Sequence, residues 1–274
     1  MKNNSIHVDS LLKNALRSTE TPSPELVQRV KNRQVKEETV LKNRTMKRSF
    51  GFIAAVMAIV VLTTTAFAAW YLLKPSDVAS KTGDNSLSAA FEGANAVSIN
   101  ESVTSGDYMY TLLGIVSGKD ISDHPIYKGG NLLNDRTYAV LAIQKADGGP
   151  MPATSDDTYA DTSFYVSPYI KGEQPWQVNI HTMNGAHSEV VVDGVMYRII
   201  ECDTVTMFAD RDLYLGVNTG SFYDAQAFEY DELTGALKAN IDYEGSSALF
   251  TLPIDAVLAD PVQAQAYLDA MWGE

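Results

Sequence analysis

One stretch limits what this chain can become more than any other. From Phe50 to Leu73, FGFIAAVMAIVVLTTTAFAAWYLL, 24 residues pass without a charge, between Lys47-Arg48 and Lys74. As a helix rising about 1.5 Å per residue, the run reaches roughly 36 Å, enough to cross a hydrocarbon layer of about 30 Å with some tilt. Trp70 and Tyr71 stand at one end and Lys47 and Arg48 at the other, the residue types that anchor a span at the headgroup level. A core helix of a water-soluble domain seldom runs this far without a charge. The run is read as a single transmembrane helix.

Charge orients it. Residues 1–49 carry a net charge of +6 and residues 50–274 a net of −19, an asymmetry hidden within the overall −13. Seven basic side chains fall in residues 30–49, against Lys74 and Lys81 alone in 74–93. Basic flanks stay in the cytoplasm, so the N-terminus is expected inside and the C-terminal part outside the cell membrane. Ala66-Phe67-Ala68 resembles a signal-peptidase site. The 49 residues before the run are too long for a cleaved leader, which favours an uncleaved signal-anchor.

The layout that follows is a basic cytoplasmic head (1–49), the span (50–73), a Ser/Ala/Gly-rich stalk (74–95) and an exported domain (96–274). In the head, Val8, Leu11, Leu12, Ala15 and Leu16 recur at helical spacing. Ser23-Pro24-Glu25 starts a second helix whose apolar edge is Leu26, Val27 and Val30. Helices this short bury little against each other and are marginal alone, so the stripe needs a partner. Leu11, Leu12, Leu16, Leu26, Val27 and Val30 are the candidate contacts with a cytosolic protein; a second copy or the lipid surface would serve the same need. With one histidine and no cysteine, the head has no zinc ligand set.

Beyond residue 96 the periodicity falls to two. Expected strands run through Val97–Val103, Tyr108–Ile115, Thr137–Ile143, Phe164–Ile170, Gln177–Met183, Glu189–Val192, Met196–Phe208, Asp212–Val217 and Ala248–Leu252. In the second, Tyr108, Tyr110, Leu112 and Gly114 are placed on one face, with Met109, Thr111, Leu113 and Ile115 on the other. Ser105-Gly106-Asp107 and Asp193-Gly194 read as hairpin turns. Asp260-Pro261 opens a short closing helix ending near Trp272. The fold class expected is mainly β, an antiparallel β-sandwich-like extracytoplasmic domain with a short C-terminal helix. The single Cys202, inside an apolar run, can form no internal disulfide and reads as a small core residue.

Chemical motifs are sparse. GxSxG, HExxH, glycine-rich phosphate loops and EF-hand spacing are all missing. Ser188, His181 or His187, and Asp193 make a triad only on paper, and Glu201 with Asp203 read as a solvated pair on one strand face. The acidic run Asp224–Glu244, with Asp224, Glu229, Asp231, Glu232, Asp242 and Glu244, lacks a calcium loop and reads as a solvated loop. Of the aromatics Tyr159, Phe164, Tyr165, Tyr169 and Trp176, most are expected in the core. No catalytic residue, cofactor or metal site is expected, nor direct nucleic-acid binding; the chain does not read as an enzyme.

Several segments, NESVTSGDYMYTLLGIVSGKDISD, DRTYAVLAIQKADGGPMP, QPWQVNIHTMNGAHSEVVVDGVMYRIIECD and MFADRDLYLGV, together with the closing LFTLPIDAVLADPVQAQAYLDAM, resemble a bacterial family of single-pass membrane proteins. Its exported domain is of unknown function. The head, with SLLKNALRS and then TPSPELVQRVKNR, is similar to that family too. In layout such proteins resemble anti-sigma factors. The resemblance implies that the head holds a sigma factor while the outer domain senses the envelope, in the service of transcription regulation. The competing expectation is a surface-displayed module that binds a ligand or glycan, or mediates adhesion, with no cytosolic partner.

Overall fold

The computed structural model describes residues 72–273. The head, with Leu11, Leu12, Leu16, Leu26, Val27 and Val30, lies outside the described residues. So do residues 50–71 of the expected span, including Trp70 and Tyr71, and its flank Lys47 and Arg48. Among the described residues no helix is long and apolar enough to cross a membrane.

The described chain is mainly β and antiparallel. Strands β1 (Val97–Ser105), β2 (Tyr108–Lys119), β5 (Asp135–Lys145), β8 (Val195–Asp203) and β7 (Ala186–Val192) form a five-stranded sheet in the order β1-β2-β5-β8-β7. Strands β6 (Phe164–Ile170), β9 (Leu213–Thr219) and β12 (Ser247–Thr251) form a second sheet with β9 in the middle. Two small hairpins complete the strands: β3 (Ile126–Lys128) with β4 (Asn131–Leu133), and β10 (Phe228–Tyr230) with β11 (Leu237–Ala239).

The sheets face each other across one apolar core. Leu112, Leu141, Met196 and Ile200 of the larger sheet and Val166, Leu215, Val217 and Phe250 of the smaller belong to it. The C-terminal helix α3 (Pro261–Trp272) adds Ala264 and Leu268 to the same core. Its start is as expected: the Asp260 carboxylate accepts from Gln263 N at 3.0 Å and Pro261 takes the first turn.

The larger sheet is also covered on its other face, which explains why β5 reads as the unbroken apolar run YAVLAI. Along it Ala139, Leu141 and Ile143 enter the inter-sheet core, while Tyr138, Val140 and Ala142 enter a second cluster. That outer cluster is roofed by helices α1 (Pro75–Lys81) and α2 (Asn85–Phe91), whose Val78, Ala79 and Leu87 are buried. Full burial of one such aliphatic side chain is worth about 1.5–3 kcal/mol. The segment expected as a stalk is thus a packed layer of the domain. Leu72 and Leu73, the end of the apolar run, lie against this cluster as well.

Three further expectations are corrected. Ile115 does not share a face with Leu113. The β2–β5 register shifts between Leu112 and Gly114, and the extra residue returns Ile115 to the inner side with Tyr110 and Leu112. Glycine suits this spot, because a Cβ at Gly114 would stand 2.7 Å from Val97 O. The second concerns residues 177–183, which form consecutive turns. Asn179 takes over the local backbone there: its Nδ2 donates to Pro175 O, and its Oδ1 accepts from His181 N, both at 3.0 Å. Val178, Ile180 and Met183 still reach the core, so the apolar residues were informative and their period was not. Similarly, the strand expected to run to Phe208 stops at Asp203, and Thr206–Phe208 is a single 3-10 turn.

Candidate functional site

On the outer face of the larger sheet, beside the helical roof, lies a cavity of about 190 Å³. Two aspartates, Asp84 and Asp123, fix the segments that border it. Asp84, the residue before α2, is buried, and its carboxylate accepts from Leu87 N at 2.8 Å and Asp123 N at 3.0 Å. Its other oxygen accepts from Ser122 Oγ at 2.5 Å. Asp123 returns the favour: its carboxylate accepts from Asn85 N at 2.9 Å, Ser86 N at 3.1 Å and Ser86 Oγ. These bonds, Ser86 Oγ first, hold the Asp123 carboxyl below its ordinary pKa. Each aspartate ties the loop 121–124 to the start of α2.

This clamp closes one side of the cavity. The sheet supplies the other, because Tyr138 on β5 pairs with Glu201 on β8, and Ile199 on β8 pairs with Ser188 on β7. Leu87 and Ile199 give the wall its apolar part, and Ser122, His124, His187, Ser188, Tyr138 and Glu201 its polar part. Loss of solvent raises the Glu201 carboxyl pKa, with Arg136 acting in the opposite direction and Asp84 adding to the rise. Burial also pushes the Tyr138 phenol up to about 12. Glu201 takes part in no ion pair among the described residues.

A smaller cavity of about 70 Å³ adjoins the first, sharing Ser122, His124 and Tyr138, and is lined in addition by Arg136. The Arg136 guanidinium is buried at the end of β5. Its Nη1 donates to Asp203 Oδ1 at 2.6 Å and its Nη2 to Asn184 O at 2.7 Å. The other Asp203 oxygen accepts from Asn184 Nδ2 at 2.5 Å and Tyr267 Oη at 2.8 Å. Arg136 Nε is buried without a partner.

The residues singled out from sequence are distributed as follows. Glu201 and Asp203 do not act as a pair: Asp203 is committed to Arg136, while Glu201 faces the larger cavity. His187 and Ser188 reach the same cavity from edge strand β7, and solvent loss followed by the Arg198 charge lowers the His187 pKa. His181 lies in the turn segment beside Tyr165, and Asp193 forms the β7–β8 turn. No hydrogen bond joins Ser188, either histidine and Asp193 among the described residues, so the paper triad is not assembled there.

The Asp231 carboxylate accepts from Leu233 N at 2.9 Å and Asp224 from Gln226 N at 2.9 Å; these acids shape turns. Among the described residues no group of three or more metal-binding side chains converges. Phe164, Tyr165 and Tyr169 are buried and Tyr159 is partly so, while Trp176 is 48 % exposed, edge-on to Tyr230. Cys202 is buried and its thiol pKa is pushed up to about 12.

Sequence reasoning missed Asp84, Asp123, Tyr138 and Arg136. A signal existed for two of them. Gly83-Asp84-Asn85-Ser86 is a helix-start pattern, and Arg136 directly precedes the apolar run of β5, where a charge drawn into the sheet calls for a buried partner. Compared with known proteins, the chain matches no family model, and no curated protein or solved structure is significantly similar to it.

Proposed function

We propose that this is a single-pass membrane protein with a sensory or regulatory role, anti-sigma-like, whose cytoplasmic head holds a sigma factor and whose outer domain responds to an envelope ligand. The observation that carries the reading is the joint between the apolar run and the β domain. Leu73 N donates to Tyr197 Oη at 3.1 Å, and Leu72 and Leu73 lie against the outer cluster of the larger sheet. The remaining apolar residues, 50–71, still reach roughly 33 Å as a helix. A domain joined to a span without a slack tether can pass a shift of its sheet to the helix end; one meant only for display has no need of such a joint. The basic flank before the run supports the N-in orientation, and the leucine stripe of the head supports a cytosolic partner.

The test is co-purification of the full chain from bacterial membranes with any bound sigma factor, identified by mass spectrometry. A sigma factor retained by the native chain and lost from Leu12→Asp/Leu16→Asp supports the reading. Equal retention by both removes the assigned contacts. One observation favours the competing role of surface ligand or glycan binding: Trp176 and Tyr230 form a partly exposed aromatic pair with ring centroids 6.1 Å apart, suited to stacking on a sugar face.

A further inference from the structure

A separate cavity of about 490 Å³ lies beside the start of β1, within the roughly 300–1,000 Å³ range common for ligand sites. Its apolar wall is Val97, Ile115, Pro253, Ile254 and Leu258, the last three from the segment that follows β12. The hydroxyls nearby are already paired, Ser117 with that of Thr137 at 2.8 Å and Thr204 with that of Thr206 at 2.9 Å. The open groups here are backbone. Strand β2 pairs with β5 as far as Lys119, opposite Asp135, but with β1 only as far as Ile115, opposite Val97. Val116–Lys119 thus have a neighbouring strand on one side alone. Successive residues of an antiparallel ladder turn their N–H and C=O groups to opposite sides, so two of these four direct both groups to the open side. No other backbone group of the described residues bonds to them there. Val116, Ser117 and Gly118 line the cavity. The edge is reachable, since Ser117 and Gly118 are half-buried and Lys119 is exposed.

We infer that this cleft receives an extended peptide segment of another chain. The segment adds to the open edge of β2 in line with β1 and sets an apolar side chain between Val97, Ile254 and Leu258, with a lysine or arginine beside it. A bare stretch of ladder is a template for one more strand, and its main-chain bonds supply affinity whatever the sequence. Side chains of an added strand alternate, so one enters the cavity while its neighbours stay at the rim. Apolar surface waits there in water: Leu258 is 55 % exposed and Val97 36 %. The charge is acidic, because Asp135 and Asp255 line the cavity and no basic side chain does. Lys119, opposite Asp135 in the ladder, makes no ion pair with it. Four residues at about 3.4 Å each cover roughly 13 Å. The site therefore reads a short segment, and β1 already occupies the edge beyond it.

The inference names a ligand class for the outer domain of the proposed sensor and so rests on that reading, but binding by the purified protein is measured without reference to the head. The full chain in phosphatidylcholine nanodiscs, with empty nanodiscs as the blank, is titrated calorimetrically with the end-blocked pentapeptide VKVKV. The same peptide N-methylated at every backbone nitrogen, and its acidic counterpart VEVEV, are titrated alongside. The expected result is saturable binding of VKVKV, with either comparison peptide at least about tenfold weaker. Hydrogen exchange slows at amides within Val116–Lys119 when VKVKV is bound. Leu258→Lys, at an exposed position on the cleft, weakens VKVKV about tenfold, while Leu233→Lys, on the 96 % exposed β10–β11 turn, leaves it unchanged. No saturable binding of VKVKV up to millimolar concentration overturns the inference. Equal binding of the N-methylated peptide or of VEVEV, or unchanged exchange at Val116–Lys119, overturns it too. The peptide comparison uses the native chain and does not depend on a variant folding. Loss of sigma-factor capture in Leu12→Asp/Leu16→Asp is read separately, so either idea can fail alone.

Discussion

Leu73 and Tyr197 are 124 residues apart in sequence and joined by a hydrogen bond, the Leu73 amide donating to the Tyr197 hydroxyl at 3.1 Å. Tyr197 belongs to β8, paired on both sides within the larger sheet. The end of the apolar run is therefore held by an inner strand and not by a loop. Tyr197→Phe removes one neutral hydrogen bond, costing about 1 kcal/mol at that joint. Hydrogen exchange at the Leu73 amide should quicken while the amides of β5 and β8 stay protected. Unchanged exchange at Leu73 would show that the bond does not hold the joint.

The Arg136–Asp203 pair is buried on both sides, with side-chain exposures of 3 % and 13 %. Removing the carboxylate strands a guanidinium in the interior and also unseats Asn184 and Tyr267. Asp203→Ala should cost about 3–5 kcal/mol in denaturant unfolding, and Tyr267→Phe about 1 kcal/mol. A loss below 1 kcal/mol for Asp203→Ala would mean that Arg136 finds solvent or another acceptor.

Asp123 has a folded pKa below its ordinary value because its ionised form accepts three hydrogen bonds from Asn85 and Ser86. Its contribution is complete above the unfolded carboxylate pKa of about 3.9 and fades as pH falls through the lower folded value. Asp123→Asn should therefore melt below the native chain at pH 6, with the two melting temperatures converging towards pH 3.

Glu201 has the opposite sign. Its folded pKa is raised, so no penalty exists below the unfolded value of about 4.3, and stability is lost as pH rises through the folded pKa. Glu201→Gln should melt higher at pH 7, by about 1–3 °C, with the gain disappearing near pH 4. A lower melting temperature at pH 7 would show that the carboxylate is paired in solution.

Gly216 lies in the middle strand of the smaller sheet, where an added Cβ would stand 2.4 Å from the Tyr169 ring and 2.9 Å from Phe228. Both rings belong to the cluster on the outer side of that sheet. Gly216→Ala should lower stability by about 1–3 kcal/mol through overpacking, measured by the shift in the denaturation midpoint. No shift would mean that the rings yield freely.

Local pattern by itself determined the β character of residues 97–252, the Asp193-Gly194 turn and the Asp260-capped closing helix. Each depends on neighbours in the chain: alternation, a positive-φ turn at Asp193 and Gly194 with φ of 50° and 78°, and a cap reached within three residues. It also determined the apolar run and the charge asymmetry around it, which need no fold to exist. The tertiary structure decided the rest. Short, polar-flanked residues 75–91 resemble a linker until Val78, Ala79 and Leu87 meet the outer face of a sheet formed far along the chain. The face of Ile115 depended on a one-residue bulge against β5, and alternation carries no record of a bulge that the partner strand imposes. The cavity beside the roof depended on Asp84 meeting Ser122 and Asp123, and on register setting Glu201 opposite Tyr138. Contacts across 38 to 67 residues arise from sheet order and burial, and sheet order is set by the whole core together, not by any window of sequence.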